Sequence, residues 1–212
     1  MSSSHTVRLN TKTRGLRVLG VDPALAGATG YGIIEFAGST PHLVRFGSIK
    51  LPARATLAAR LYEIHSLISR LVAEFTPDAV AVESVFAALN VKTALKLAEV
   101  RGVVLLAAAQ ASIPAHSYSP REVKSSVAGY GAASKQQMQQ MVSSALGLTE
   151  IPEPADAADA LAVALCHAHL ARAHQRMNAA MSATPVAIAS RNLIRNTHTP
   201  RNRIRSARIL ES

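Results

Sequence analysis

The sequence predicts an α/β domain: a mixed five-stranded sheet with helices on both faces. Three observations lead there. Two short apolar runs, Arg17-Val18-Leu19-Gly20-Val21-Asp22 and Ala79-Val80-Ala81-Val82-Glu83, have the length and β-branched content of buried strands, and each closes on an acid. Strand and helix patterns alternate along the chain in the order βββαβαβ, followed by helices. With 49% hydrophobic and only 17% charged residues, the 212-residue chain has enough apolar material for one sizeable core and too little length for two ordinary domains.

The elements follow in order. After the first strand, ended by Pro23, strands are predicted over 29–36 and 43–51, with Gly38-Ser39-Thr40-Pro41 as the turn between them. Leu57, Leu61, Ile64, Ile68, Leu71 and Phe75 keep a 3-4 spacing, which predicts an amphipathic helix stopped at Thr76-Pro77-Asp78. The second acid-ended strand comes next. An Ala- and Leu-rich helix is expected over 90–111, bent at Gly102, and a last short strand over 113–118. Ser119 then reads as an N-cap with Pro120 in the first turn. Gly129-Tyr130-Gly131 breaks that helix, Ser134 opens another to about Leu146, and Pro154 opens a final one to about Arg172. Beyond Met177 periodicity fades, and disorder is expected there.

Composition excludes several classes. One cysteine makes no intrachain disulfide and no Cys-rich zinc site. Residues 1–17 have no apolar segment of a secretory signal, and the longest uncharged stretch, 102–120, is interrupted by Gln110, Ser112, Pro114 and His116, so it reads as a buried element and not a membrane span. A cytoplasmic protein is expected. The net charge of +10 sits wholly in the ends: four cations and no acid in 1–17, seven cations against Glu211 in 176–212, and a neutral balance of 12 and 12 between them. Such ends either hold phosphate backbones by salt-sensitive attraction or are solvated tails. Inside the neutral part, Lys92, Lys96, Arg101, Arg121, Lys124 and Lys135 face only Glu99 and Glu122 in their stretch. Gly27, Gly30 and Gly32 form a glycine-rich segment, but its order is GxxGxG and it enters a strand, which makes it a poor dinucleotide fingerprint. His167 and His169 show no ligand spacing, and Cys166 reads as a small buried side chain.

The acids carry the chemistry. Asp22 and Glu83 close strands, while Asp156 and Asp159, three apart at the start of the last helix, stand about 60° apart around its axis. Taken singly, Asp22 beside Pro23 fits a turn and Asp156 fits a helix N-terminus. Glu83, ending a buried strand beside Phe86, has no such excuse. Glu74 and Asp78 lie on a polar turn and are expected at the surface. Clustered carboxylates near a core need a compensating cation, and oxygen-only donors suit Mg²⁺ or Mn²⁺ better than zinc. The matching reaction is phosphodiester hydrolysis by two metals about 3.5–4 Å apart, with water as the nucleophile. No Ser-His-Asp or Cys-His signature competes with it.

Leu19-Gly20-Val21-Asp22-Pro23 with Thr29-Gly30-Tyr31-Gly32 resembles the opening of the RuvC family of Holliday-junction resolvases. So do Val82-Glu83-Ser84-Val85-Phe86 with Asn90 and Ala94-Leu95-Lys96-Leu97, then Arg101-Gly102-Val103, Arg121-Glu122-Val123-Lys124, and Ala155-Asp156-Ala157-Ala158-Asp159-Ala160-Leu161-Ala162, in order over about residues 17–172. The resemblance implies a ribonuclease-H-like fold, a homodimer, paired Mg²⁺-dependent nicking of four-way junction DNA in recombination and repair, and cooperation with RuvA and RuvB. By position, Asp22, Glu83, Asp156 and Asp159 match four metal-binding acids that hold two ions. Phe86 matches an aromatic that stacks on DNA, Lys124 and Lys135 match basic residues near the scissile phosphate, and Asn90 and Arg121 are further DNA-contact candidates. One departure is local: the loop Ala24-Leu25-Ala26-Gly27-Ala28 lacks the family's Gly after the Pro and is one residue longer. The nuclease domain is expected over 17–175, between disordered basic ends at 1–16 and 176–212. Other ribonuclease-H-like nucleases and a non-catalytic junction binder are the competing readings. An actin-like ATPase would need a second phosphate loop that one domain cannot supply.

Overall fold

The computed structural model describes residues 15–24, 28–52, 54–84 and 91–183. The chain divides after Gln175, and the fold lies in the first unit. Its elements are β1 (Leu16–Asp22), β2 (Ala28–Ala37), β3 (Thr40–Lys50), α1 (Leu57–Phe75), β4 (Ala79–Glu83), α2 (Val91–Gln110), β5 (Ala115–Tyr118), α3 (Pro120–Ala128), α4 (Lys135–Leu146) and α5 (Ala155–Ala183). The sheet order is β3-β2-β1-β4-β5. β1 pairs antiparallel with β2 and parallel with β4, and β5 lies parallel beside β4.

Alternation along the strands builds two cores. Leu19 and Val21 of β1, with Val80 and Val82 of β4, turn toward α1 and α2, where Ile64, Ile68, Val100 and Val104 cover them. Val18, Ile34 and Ala81 turn the other way, onto Val123, Val142, Leu161 and Leu165 of α3, α4 and α5. Helices therefore cover both faces, as the pattern predicts. Caps set the helix ends: Thr56 opens α1, and Ser119 and Ser134 each open a capping box, with Glu122 and Gln137 reaching back.

Arg17 ties the distal end of the sheet together. Its guanidinium pairs with Glu35 of β2 and donates to the Phe75 carbonyl at the end of α1, while its backbone N–H donates to Asp78. Asp78 is exposed, as expected, yet it holds the start of β1.

Several boundaries differ from the expectation. β1 starts at Leu16 and β3 already at Thr40, because Gly38 at φ 62° makes a tight turn that leaves Pro41 on an edge strand, where its missing N–H costs nothing. β5 is shorter than 113–118. α2 runs unbroken through Gly102, since an exposed glycine lowers helix propensity without removing a hydrogen bond. α5 continues to Ala183, so 176–183, expected in the disordered tail, are helical: Arg176, Met177 and Ala179–Met181 are good helix formers even where no apolar face remains to guide the eye. Residues 1–14 and 184–212, the rest of both ends, lie outside the described residues, as do 25–27 of the loop after Asp22.

Candidate active site

Strand register brings the first two acids together. Val18, Gly20 and Asp22 share one face of β1, and Ala79, Ala81 and Glu83 share the same face of β4, because Val18 and Ala81 lie in one core. Val21 pairs with Val82, so Asp22 and Glu83 end neighbouring parallel strands side by side. The carboxyl end of such strands is where open α/β sheets present functional groups.

Glycines bring the third. Gly20 and Gly32 face each other across β1 and β2, and Gly30 faces Asp22. A Cβ would lie 2.1 Å from the Ala160 carbonyl at Gly20, 1.9 Å from the Asp156 carbonyl at Gly30 and 2.6 Å from the Leu161 side chain at Gly32. α5 therefore rests directly on the sheet backbone, which carries its first two turns to the end where Asp22 sits. The glycine segment that fails as a dinucleotide fingerprint is the seat of this helix. Glycines within a strand, far from any turn, are the sequence signal for such an approach.

The resulting cleft, of about 240 Å³, is lined by Asp22, Glu83 and Asp159, by Lys124 of α3 and Lys135 of α4, and by the apolar Val123 and Met138. Lys135 Nζ donates to Asp159 Oδ2 at 2.9 Å. Asp156 lies one turn back along α5 and does not line the cleft, although its charge reaches Asp22. Arg121 is exposed on α3 with its side chain over Gly131, also outside the cleft, which Val123 and Lys124 line instead. Phe86 and Asn90 lie outside the described residues. Thr29, not singled out by the sequence, is buried and hydrogen-bonded to the Ala24 backbone. The two histidines serve packing: Nδ1 of His167 is 2.7 Å from the Tyr118 hydroxyl, and His169 meets Ser126. Cys166 is buried.

The carboxyls of the cleft are crowded and desolvated. Burial, then repulsion from Glu83 and Asp159, pushes Asp22 up to about 8 from an ordinary 3.8. Glu83 is raised too, by burial first, against the pull of its hydrogen bond with Asp22 and of Lys124. The hydrogen bond to Asp159 raises Lys135. Among the described residues no three acids or histidines form a ready-made cage: Asp22 and Glu83 share a hydrogen bond, and Asp159 turns to an ammonium. Crowded, desolvated oxygen donors of this kind fit a hard divalent ion.

A pH dependence follows. Because the folded pKa of Asp22 is raised, its neutral form contributes stability that is fully present below the ordinary 3.8 and is lost as pH rises to about 8. Thermal unfolding of chelator-treated protein is expected at lower temperature across that interval, with Mg²⁺ or Mn²⁺ restoring it at the alkaline end. An unchanged midpoint from acid to alkaline pH, set against an Asp22→Asn control, would contradict this account.

The family model for "Crossover junction endodeoxyribonuclease RuvC" matches residues 18–167, which span every element from β1 into α5. The chain belongs to the RuvC family. It is 48% identical over 154 residues to the RuvC of Syntrophomonas wolfei, covering 73% of this chain and 89% of that protein. To the RuvC of Chloroflexus aurantiacus it is 47% identical over 161 residues, covering 76% and 98%. The RuvC structure from Thermus thermophilus superposes with a TM-score of 0.69 at 36% identity, over 75% of this chain and 97% of that one. The same protein in complex with Holliday junction substrate gives 0.68 at 33% identity, over 74% and 96%. The fold is thus the ribonuclease-H-like fold of RuvC, and RuvC proteins are metal-dependent endodeoxyribonucleases. Among the described residues no helix is long and apolar enough to cross a membrane.

Proposed function

We propose that the protein resolves four-way DNA junctions by paired, metal-dependent nicks during recombination and repair. The observation that carries this reading is one cleft in which Asp22, Glu83 and Asp159 meet Lys124 and Lys135. Acids alone would repel a phosphodiester, and cations alone would bind it uncut. Asp22, Glu83 and Asp159, with Asp156 completing the set from one turn back, would hold two Mg²⁺ ions, or Mn²⁺ in their place. Bound ions supply a water nucleophile at neutral pH and stabilise charge on the departing oxygen. Lys135, mostly exposed, would reach from Asp159 toward a phosphate oxygen, and Lys124 favours the charged form of Glu83 against burial while available to the same DNA strand. Phe86 stacks on an unpaired base near the cut, an interaction worth about 1–3 kcal/mol, and Asn90 and Arg121 contact the backbone farther out. The likeness to a RuvC bound to junction substrate supports this choice of DNA.

Two symmetric nicks need two sites, so the protein acts as a homodimer. α2 has a face to spare. Val100, Val104 and Ala108 bury one side, yet Val91, Leu95 and Leu106 on the other are 74%, 61% and 52% exposed, with Ala98 and Gly102 between them. A Cβ at Gly102 would meet nothing within the chain. Small residues flanked by leucines suit close approach of a second α2. Leu95→Arg combined with Gly102→Arg is expected to halve the mass seen in analytical ultracentrifugation, and a dimer that survives both changes would place the interface elsewhere. Partnership with RuvA and RuvB, and a cytoplasmic site of action, complete the proposal by family resemblance.

The deciding experiment incubates the purified protein with a synthetic four-way junction, a linear duplex and an RNA–DNA hybrid, with and without Mg²⁺. Symmetric nicks on the junction alone, and only with metal, are the expected result. Binding without cleavage would make it a junction-binding protein, and cleavage of the hybrid another ribonuclease-H-like nuclease.

A further inference from the structure

By sequence, the segment that follows Asp22 offers few anchors of its own. The β1–β2 ladder ends at the pair Asp22 and Gly30. Pro23 has no N–H with which to extend it. The connection Ala24-Leu25-Ala26-Gly27-Ala28 contains no side chain able to form a hydrogen bond. Yet Asp22 sits at the mouth of this turn and is repelled by Glu83, Asp159 and Asp156 together.

Thr29 closes the gap. It is 1% exposed, the first residue of β2 before Gly30 to be fully packed. Its hydroxyl donates to the Ala24 carbonyl at 2.6 Å and accepts from the Ala24 N–H at 3.2 Å. One side chain thus pairs with both backbone polar groups of the residue two beyond Asp22, itself half-buried. Alternation adds direction. Thr29 and Tyr31 point to the α1–α2 side of the sheet, whereas Gly30 and Asp22 face α5. The chain after Asp22 is drawn to the side away from the cleft, and the carboxylate is left facing into it.

We infer that Thr29 is a positioning residue of the active site: by clamping Ala24 it fixes the direction of Asp22 and so the affinity for the divalent ion. The inference rests on the reading of Asp22 as a metal ligand.

The test compares Thr29→Val, which keeps the shape and removes both bonds, with Thr29→Ser, which keeps the hydroxyl. Mn²⁺ binding is titrated calorimetrically without DNA, and junction binding is measured in chelator. Thr29→Val is expected to bind Mn²⁺ about 10–100-fold more weakly, the scale of losing an outer partner of a metal ligand. Half-maximal cleavage should then need more metal by the same factor, with junction affinity in chelator unchanged and Thr29→Ser restoring Mn²⁺ affinity. Wild-type Mn²⁺ affinity in Thr29→Val, or equal weakening in Thr29→Ser, overturns the clamp. If the valine variant does not fold, Thr29→Ala, which leaves room for a water at Ala24, takes its place under the same criteria. An Asp22→Asn control separates the two readings: Mn²⁺ affinity retained there refutes Asp22 as a ligand, whereas affinity lost there but kept in Thr29→Val refutes the clamp alone.

Discussion

Asp22→Asn is expected to slow junction cleavage by at least about 10³-fold, because a metal's charge stabilisation is worth several kcal/mol and each 1.36 kcal/mol is tenfold in rate. Glu83→Gln and Asp159→Asn should do the same. Junction binding should survive in all three, since Lys124 and Lys135, which carry the phosphate contacts on the proposed reading, remain in the cleft. The Asp22 variant carries a second signature. A neutral amide copies the protonated acid that burial favours, so in chelator it should unfold at higher temperature than the parent near pH 8, where the parent's carboxyl has ionised. Lost activity with gained stability separates a ligand from a structural acid, whose removal lowers both. Cleavage at the parent rate by any of the three would remove that acid from the site. An electrophoretic shift assay in chelator and a nicking assay with Mg²⁺ measure the two halves.

The acids at strand ends were legible because burial and charge conflict there. A run such as Ala-Val-Ala-Val has no solvent reason to end on Glu83, and the period of two then places Asp22 on the same face once the strands are neighbours. The two-sided core was legible from the same alternation and from the 3-4 spacing of α1. Other features were not, for reasons that are physical. Asp156 and Asp159 share a helical face, but which of them reaches the cleft depends on how α5 is seated, and that is decided by glycines on other elements. Arg121 and Lys124, three apart in α3, share a helical face as well, and only Lys124 lines the cleft, which depends on how α3 sits against α4 and α5. The end of α5 lies beyond any apolar stripe, where propensity alone continues it. Thr29 was hidden because a buried hydroxyl in a strand looks like any β-branched residue until its partner, a backbone two residues past an acid, is known.

Gly30→Ala should damage cleavage far more than stability. Its Cβ would lie 1.9 Å from the Asp156 carbonyl, and real Cβ contacts essentially never fall below 3.0 Å, so α5 or β2 must give by about 1 Å. Neither is a flexible tip: one is the carbonyl of a helix's first turn, the other a strand paired on both sides. Overpacking of this kind costs about 1–3 kcal/mol, which for a chain of this size lowers the melting midpoint by about 2–12 °C. The same displacement moves Asp159 from Asp22 and Glu83, and a 1 Å misplacement of reacting groups can cost about 10²-fold in rate. Gly32→Ala is the internal comparison. Its Cβ meets the Leu161 side chain at 2.6 Å and backbone only at 3.0 Å, a milder backbone clash than the 1.9 Å at Gly30, so both effects should be smaller. The order Gly30 before Gly32 in lost nicking rate, measured below the midpoint of the weaker variant, is the expected outcome. Equal rates in both variants would mean that the seat of α5 does not set the spacing of the acids, and that the glycines serve the sheet alone.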